Sequence, residues 1–122
     1  MGKQVDDTVL DGALNIIKTN ATVMHLCSGA GAPADRAAAI AASLADVAVA
    51  TGDFTAADDT SGRKLTVAAK TSVPVDVGGT GTHVAIISAS LLLYVTTCTS
   101  KVVAGGDQVN FPTWKINIQD PT

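Results

Sequence analysis

GGTGTHVAIISASLLLYVTTC, residues Gly78 to Cys98, decides the fold. Two aliphatic and β-branched runs, 83–88 and 91–97, flank Ala89-Ser90, and that spacing predicts a tight antiparallel hairpin. The glycines ahead of His83 invite a second reading as a phosphate-cradling loop. A dinucleotide fingerprint needs GxGxxG between a strand and a helix. Here a strand follows, and His83 stands where the last glycine would be. A Walker loop is not supplied either, because SGRKLT at 61–66 lacks the GxxxxGK[ST] spacing. The expected role of Gly78, Gly79 and Gly81 is therefore positive φ in a hairpin connection.

Working outward, RKLTVAAK (63–70) alternates, with Leu65, Val67 and Ala69 inward. VPVDV (73–77) alternates as well, and Pro74 places it at a sheet edge. AGGD (104–107) marks a turn, then come QVNF and WKINI (114–118), with Trp114, Ile116 and Ile118 on one face and a core role expected for Trp114. ATVMHLCS (21–28) alternates so evenly that either face qualifies as the core face. Residues 6–19 predict a helix: Asp6 or Asp7 caps it, Leu10, Ala13, Leu14 and Ile17 form its stripe, and Asn20 suits a left-handed end. The alanine-rich 34–43 stretch reads as a short helix or a loop, with a strand after it, and TGDFTAADDTSG (51–62) reads as a surface loop. The expected fold is a single mainly β domain over 1–122, an antiparallel β-sandwich or small barrel, with a helical arm at 1–20 and a β body over 21–122.

Composition supports this. Apolar residues make up 47% of 122, and aromatics only 3%, so the core is built from Val, Ile, Leu and Ala. Fifteen threonines suit a pleated surface. A net charge of −3 without a basic cluster excludes a typical nucleic-acid footprint. No apolar run is long enough to cross a bilayer as a helix, and MGKQVD does not fit a myristoylation signal. Cys27 and Cys98 form no CxxC and are expected to be buried free thiols.

The candidate chemical groups are sparse. His25 and His83 are the only histidines, and His83 with Cys98 across a hairpin is the one conceivable nucleophilic pair. There is no GxSxG, so His83 is expected to be a strand-start histidine, exposed or hydrogen-bonded. Asp53, Asp58 and Asp59 fail the calcium-loop pattern in a chain without glutamate, and solvated carboxylates are expected. No catalytic, cofactor-binding or metal residue is assigned, and no enzyme activity is expected.

Two segments resemble small structural proteins of tailed-bacteriophage virions, of the head-decoration or tail-fibre-associated kind. One is KQVDDTVLDGALNIIKTNATVMHLCS; the other is SGRKLTVAAK, GTGTHVAIISASLLLYVTTCT and VAGGDQVNFPTWKINIQDP. The resemblance implies a non-enzymatic capsid decoration (cement) protein on the capsid exterior, made in the host cytoplasm. It implies the major capsid protein and copies of itself, as a homotrimer, as partners, with no nucleic acid, membrane or cofactor. A tail or fibre-attachment component is the alternative, and a carbohydrate-binding β-sandwich module is the second.

Overall fold

Helix α1 (Asp7–Asn20) starts where Asp6 accepts a hydrogen bond from the Thr8 amide at 2.8 Å. It stops because Ala21 turns extended while its N–H still reaches the Ile17 carbonyl. The left-handed residue expected at Asn20 is absent; Asn20 is the last helical residue and donates its side-chain N–H to the Ile16 carbonyl. In this computed structural model, residues 5–29 and 31–119 are described.

The remaining elements follow in the order β1 (Val23–Ser28), α2 (Arg36–Ala41), β2 (Ser43–Ala48), a 3-10 turn (Thr51–Asp53), β3 (Phe54–Asp58), β4 (Arg63–Val67), β5 (Lys70–Pro74), β6 (Gly79–Ile87), β7 (Leu92–Val103), β8 (Gln108–Phe111) and β9 (Trp114–Ile118). All strand pairs are antiparallel. They form a four-stranded sheet β2-β1-β6-β7, a three-stranded sheet β3-β4-β9 and the pair β5-β8. A single bridge, Ala45 to Val75, ties β2 to the chain just past β5. The protein is thus mainly β and antiparallel, with a short N-terminal helix and a second short helix, as the periodicity predicts.

One core unites the three sheets: Met24, Leu26 and Ile86 from the first, Phe54, Leu65, Val67 and Ile116 from the second, Val73, Val109 and Phe111 from the third. Leu14 of α1 is buried in the same cluster, so the helix is packed on the β body. Arg63 fixes it there, donating to both carboxylate oxygens of Asp11, at 2.8 and 3.2 Å, and to Asp58 at 2.8 Å. A bidentate guanidinium–carboxylate pair sets orientation as well as proximity.

Strand β1 is central, which explains its ambiguous alternation. Met24 and Leu26 face the main core, while Cys27 packs with Ala39 of α2, Ala85 and Ile87 in a second cluster. Both faces are therefore covered, and neither need be polar.

Three sequence expectations are corrected. Residues 51–62 are not a plain surface loop: a 3-10 turn leads into β3, which pairs with β4 from Phe54↔Val67 to Asp58↔Arg63. The glycines before His83 do not supply positive φ; Gly79 and Gly81 lie inside β6, and among the described residues the glycines with positive φ are Gly29, Gly62 and Gly106. Their role is close approach, because a Cβ on Gly81 would lie 2.6 Å from a Leu26 methyl and one on Gly79 would lie 3.1 Å from Leu44. Finally, β4 ends at Val67, and Ala69 is exposed rather than inward. The hairpin at Ala89-Ser90 forms as expected: Ser88 N–H donates to the Leu91 carbonyl at 2.8 Å, and Ser88 Oγ accepts from the Leu91 amide at 2.9 Å.

Candidate functional site

The histidines and cysteines lie in the four-stranded sheet, but not as the sequence paired them. His83 is opposite Thr97 across the hairpin, not Cys98; its other neighbour, on β1, is Cys27. It is buried in mid-strand rather than placed at a strand start, and its Nδ1 bonds Thr82 Oγ1 at 2.9 Å. The Thr82 hydroxyl donates to the Gly29 carbonyl, so it accepts from the His83 Nδ1–H.

Both cysteines are free, but only Cys27 is fully buried. Its thiol donates to the Ala39 carbonyl across 3.6 Å, and burial pushes its pKa up to about 11. At neutral pH it is a protonated thiol, not a nucleophile. Burial raises the Cys98 thiol as well. Among the described residues, no three His, Cys, Asp or Glu side chains are grouped to hold a metal ion.

His25 is a buried neutral imidazole. Ser43 Oγ donates to the Ala45 carbonyl and so accepts from His25 Nδ1–H at 2.8 Å. The other nitrogen, Nε2, is enclosed without a partner. Burial holds its pKa below the ordinary 6.5, with Asp46 opposing the shift and Arg36 adding to it. The folded pKa lies below the unfolded one, so the contribution is complete above 6.5 and lost as pH falls through the folded value. Thermal unfolding measured between about pH 7 and pH 5 is expected to show a falling midpoint, and His25→Leu to flatten that slope. An unchanged slope in the variant would place the acid sensitivity elsewhere.

All three loop acids are ion-paired; Asp53 and Asp59 are largely covered, contrary to expectation, while Asp58 stays solvated with its side chain 80% exposed. Asp53 pairs with Lys70 at 2.9 Å, Asp58 with Arg63 at 2.8 Å and Asp59 with Lys115 at 2.8 Å. The Asp53 and Asp59 ties reach β5 and β9, whereas the Asp58 tie joins β3 to β4. Hydrogen bonds from Lys70 and Lys115 hold Asp53 and Asp59 below the usual carboxylate range.

A seam lies between β7 and the β8–β9 connection. Two adjoining cavities of about 230 Å³ and about 240 Å³ share Val84, Cys98, Phe111 and Pro112 as lining. Thr96 and Thr97 of β7 complete one side and Trp114 the other. Trp114 is only half-buried: it packs on the core and against Tyr94, with ring centroids 6.0 Å apart, and its indole N–H is enclosed without an acceptor. It is therefore a wall of the seam as well as core. Both strands flanking the seam, β7 and β9, end their sheets. The trough suits an apolar side chain or an extended apolar chain, not a buried charge.

A second apolar surface lies on α1. Val9 and Ile16 stand in water beside the buried Leu10 and Leu14, 64% and 57% exposed; Ala13, expected in the buried stripe, is exposed with them. Among the described residues, no helix is long and apolar enough to cross a membrane.

The class defined by these features is a mainly β protein with antiparallel sheets, two short helices and apolar contact surfaces. The chain matches no protein-family model, no curated protein and no solved structure.

Proposed function

We propose that this chain is a non-enzymatic structural protein of a bacteriophage virion, a decoration protein that binds the outer capsid surface and stabilises the shell. The observation that carries the reading is the outward stripe of α1. Two large aliphatic side chains, Val9 and Ile16, stand in water on a helix that Leu14 and the Arg63–Asp11 pair lock to the β body. A rigidly held apolar patch costs little ordering entropy when a partner covers it. A cement protein needs that property more than it needs a strong single contact, because repeated copies on a shell raise avidity. Small Ala, Thr and Val side chains across the rest of the surface serve the same end, since they lose little rotamer freedom.

The test separates attachment from folding. Deleting the helix would open the core at Leu14, so surface substitutions are cleaner. Val9→Asp combined with Ile16→Asp is expected to weaken co-sedimentation with undecorated shells by at least about tenfold. Its unfolding midpoint is expected to stay within a few degrees of the parent, because both residues are exposed. Undiminished binding by a folded double variant would refute the assignment of α1 as the attachment face.

A further inference from the structure

The seam beside β7 lies where the three sheets meet. Leu26 and Val84 reach it from the four-stranded sheet, Val109 and Phe111 from β8, and Trp114 from β9. Its two cavities, about 230 and 240 Å³, share Val84, Cys98 and Phe111 as wall, so one narrow apolar chain can occupy both.

Among the described residues, the charged side chain that lines this trough is Lys101, and no acid does. The sheet puts it there. Lys101 pairs with Gly81, and a Cβ on Gly81 would point at Leu26, 2.6 Å from its methyl. Cross-strand partners carry their side chains on one face, so the Lys101 stem stands on the Leu26 side and walls the first cavity. Its methylenes cover apolar surface while the ammonium reaches water. Lys101 is exposed and forms no ion pair among the described residues.

Asn110 adds a second donor to the same cavity. Its Oδ1 accepts from the Ser72 N–H at 2.9 Å, which fixes the side-chain amide and leaves Nδ2 to donate. Ser72 holds φ +56°, in the left-handed region that a side-chain-bearing residue rarely adopts, and this bond secures it. The rim thus offers a cation and an amide N–H, and the interior offers aliphatic and aromatic carbon.

We propose that the seam binds a free aliphatic carboxylate of the fatty-acid class. The head sits at the rim on Lys101 and Asn110, and the chain runs past Val84 and Phe111 towards Trp114. The charge stays out of the trough, so no ion is buried. Charge complementarity at the rim selects an anionic head, and methylenes leaving water select chain length. The site is distinct from the α1 face and does not rest on the virion reading, because it fills or stays empty in solution without a shell.

Trp114 is the only tryptophan, so its fluorescence reads occupancy in the full chain. Hexanoate, octanoate and decanoate, each below its micelle concentration, are expected to bind with affinity rising about fourfold per methylene. Lys101→Gln is expected to weaken decanoate by about fivefold or more and to leave decanol within about twofold of the parent. Lys101→Arg keeps the charge and is expected to bind decanoate within about threefold of the parent. Decanoate is also expected to slow alkylation of Cys98 by iodoacetamide, the other thiol, Cys27, being buried. Circular dichroism is expected to show both variants folded, since Lys101 is exposed. Absence of saturable decanoate binding, binding that leaves Cys98 unshielded, or a folded Lys101→Gln variant that does not separate decanoate from decanol would overturn the proposal.

Discussion

Phe54→Ala is expected to lower folding stability by about 3–5 kcal/mol, the range for removing a buried phenyl ring. Phe54 is 2% exposed, opens β3 opposite Val67, and sits in the main core with Leu65 and Ile116. Nothing nearby can collapse into the space cheaply, because these neighbours are fixed in three paired strands, β3, β4 and β9. A single domain of this length has only about 5–15 kcal/mol in hand. The midpoint of thermal unfolding is therefore expected to fall by roughly 10–20 °C. Thr55→Ala supplies the comparison, because its side chain is exposed on the same strand and the expected change is within about 0.5 kcal/mol. Equal, small effects at both positions would return this segment to the surface loop that its composition suggests.

That segment shows where sequence reasoning stops. The strands legible in the sequence are those whose alternation runs long enough to declare itself, such as His83 to Ile87 and Trp114 to Ile118. Helix α1, the hairpin turn at Ala89-Ser90 and the turn at 104–107 between β7 and β8 were legible because their capping and turn residues act locally. Residues 51–62 are rich in Asp, Thr and Gly, and only Phe54 and Ala56 speak for a strand. The acids there look solvated because their cations are remote: Lys70 is 17 residues from Asp53, and Lys115 is 56 from Asp59. Gly79 and Gly81 misled for a related reason. A glycine needed for positive φ and a glycine needed for close packing read alike until Leu26 and Leu44 are placed beside them. The seam was not legible at all. Cys98, Phe111, Pro112 and Trp114 meet only because β7 and β9 each end a sheet, and which strands end sheets is a property of the whole topology. The exposure of Leu91 was not legible within its apolar run, since exposure is decided by what the other strands leave uncovered.

Gly62→Ala is expected to be as costly as the loss of the phenyl ring, for a different reason. Gly62 closes the turn between β3 and β4 with φ +75°, a left-handed conformation, and its carbonyl accepts from the Asp59 amide at 3.2 Å. That conformation alone costs a side-chain-bearing residue about 1–2 kcal/mol. Beyond this, a Cβ there would overlap the Ile118 carbonyl oxygen and come within 2.9 Å of Gln119 Cα. These are backbone atoms, so no rotamer change relieves the clash; the end of β9 must move. Ile118 is the register partner of Arg63, and Arg63 holds both Asp11 of α1 and Asp58 of β3, so displacement there loosens three elements together. The expected loss is about 3 kcal/mol or more. Gly106→Ala isolates the steric part: Gly106 has φ +90°, but an added Cβ meets nothing within 4 Å. It should therefore lose only the conformational part, about 1–2 kcal/mol. Denaturant unfolding of the two variants, with hydrogen exchange at the Arg63 and Ile118 amides, reads the difference. Equal losses at the two glycines would mean that β9 yields freely at its end and does not anchor the helix through Arg63.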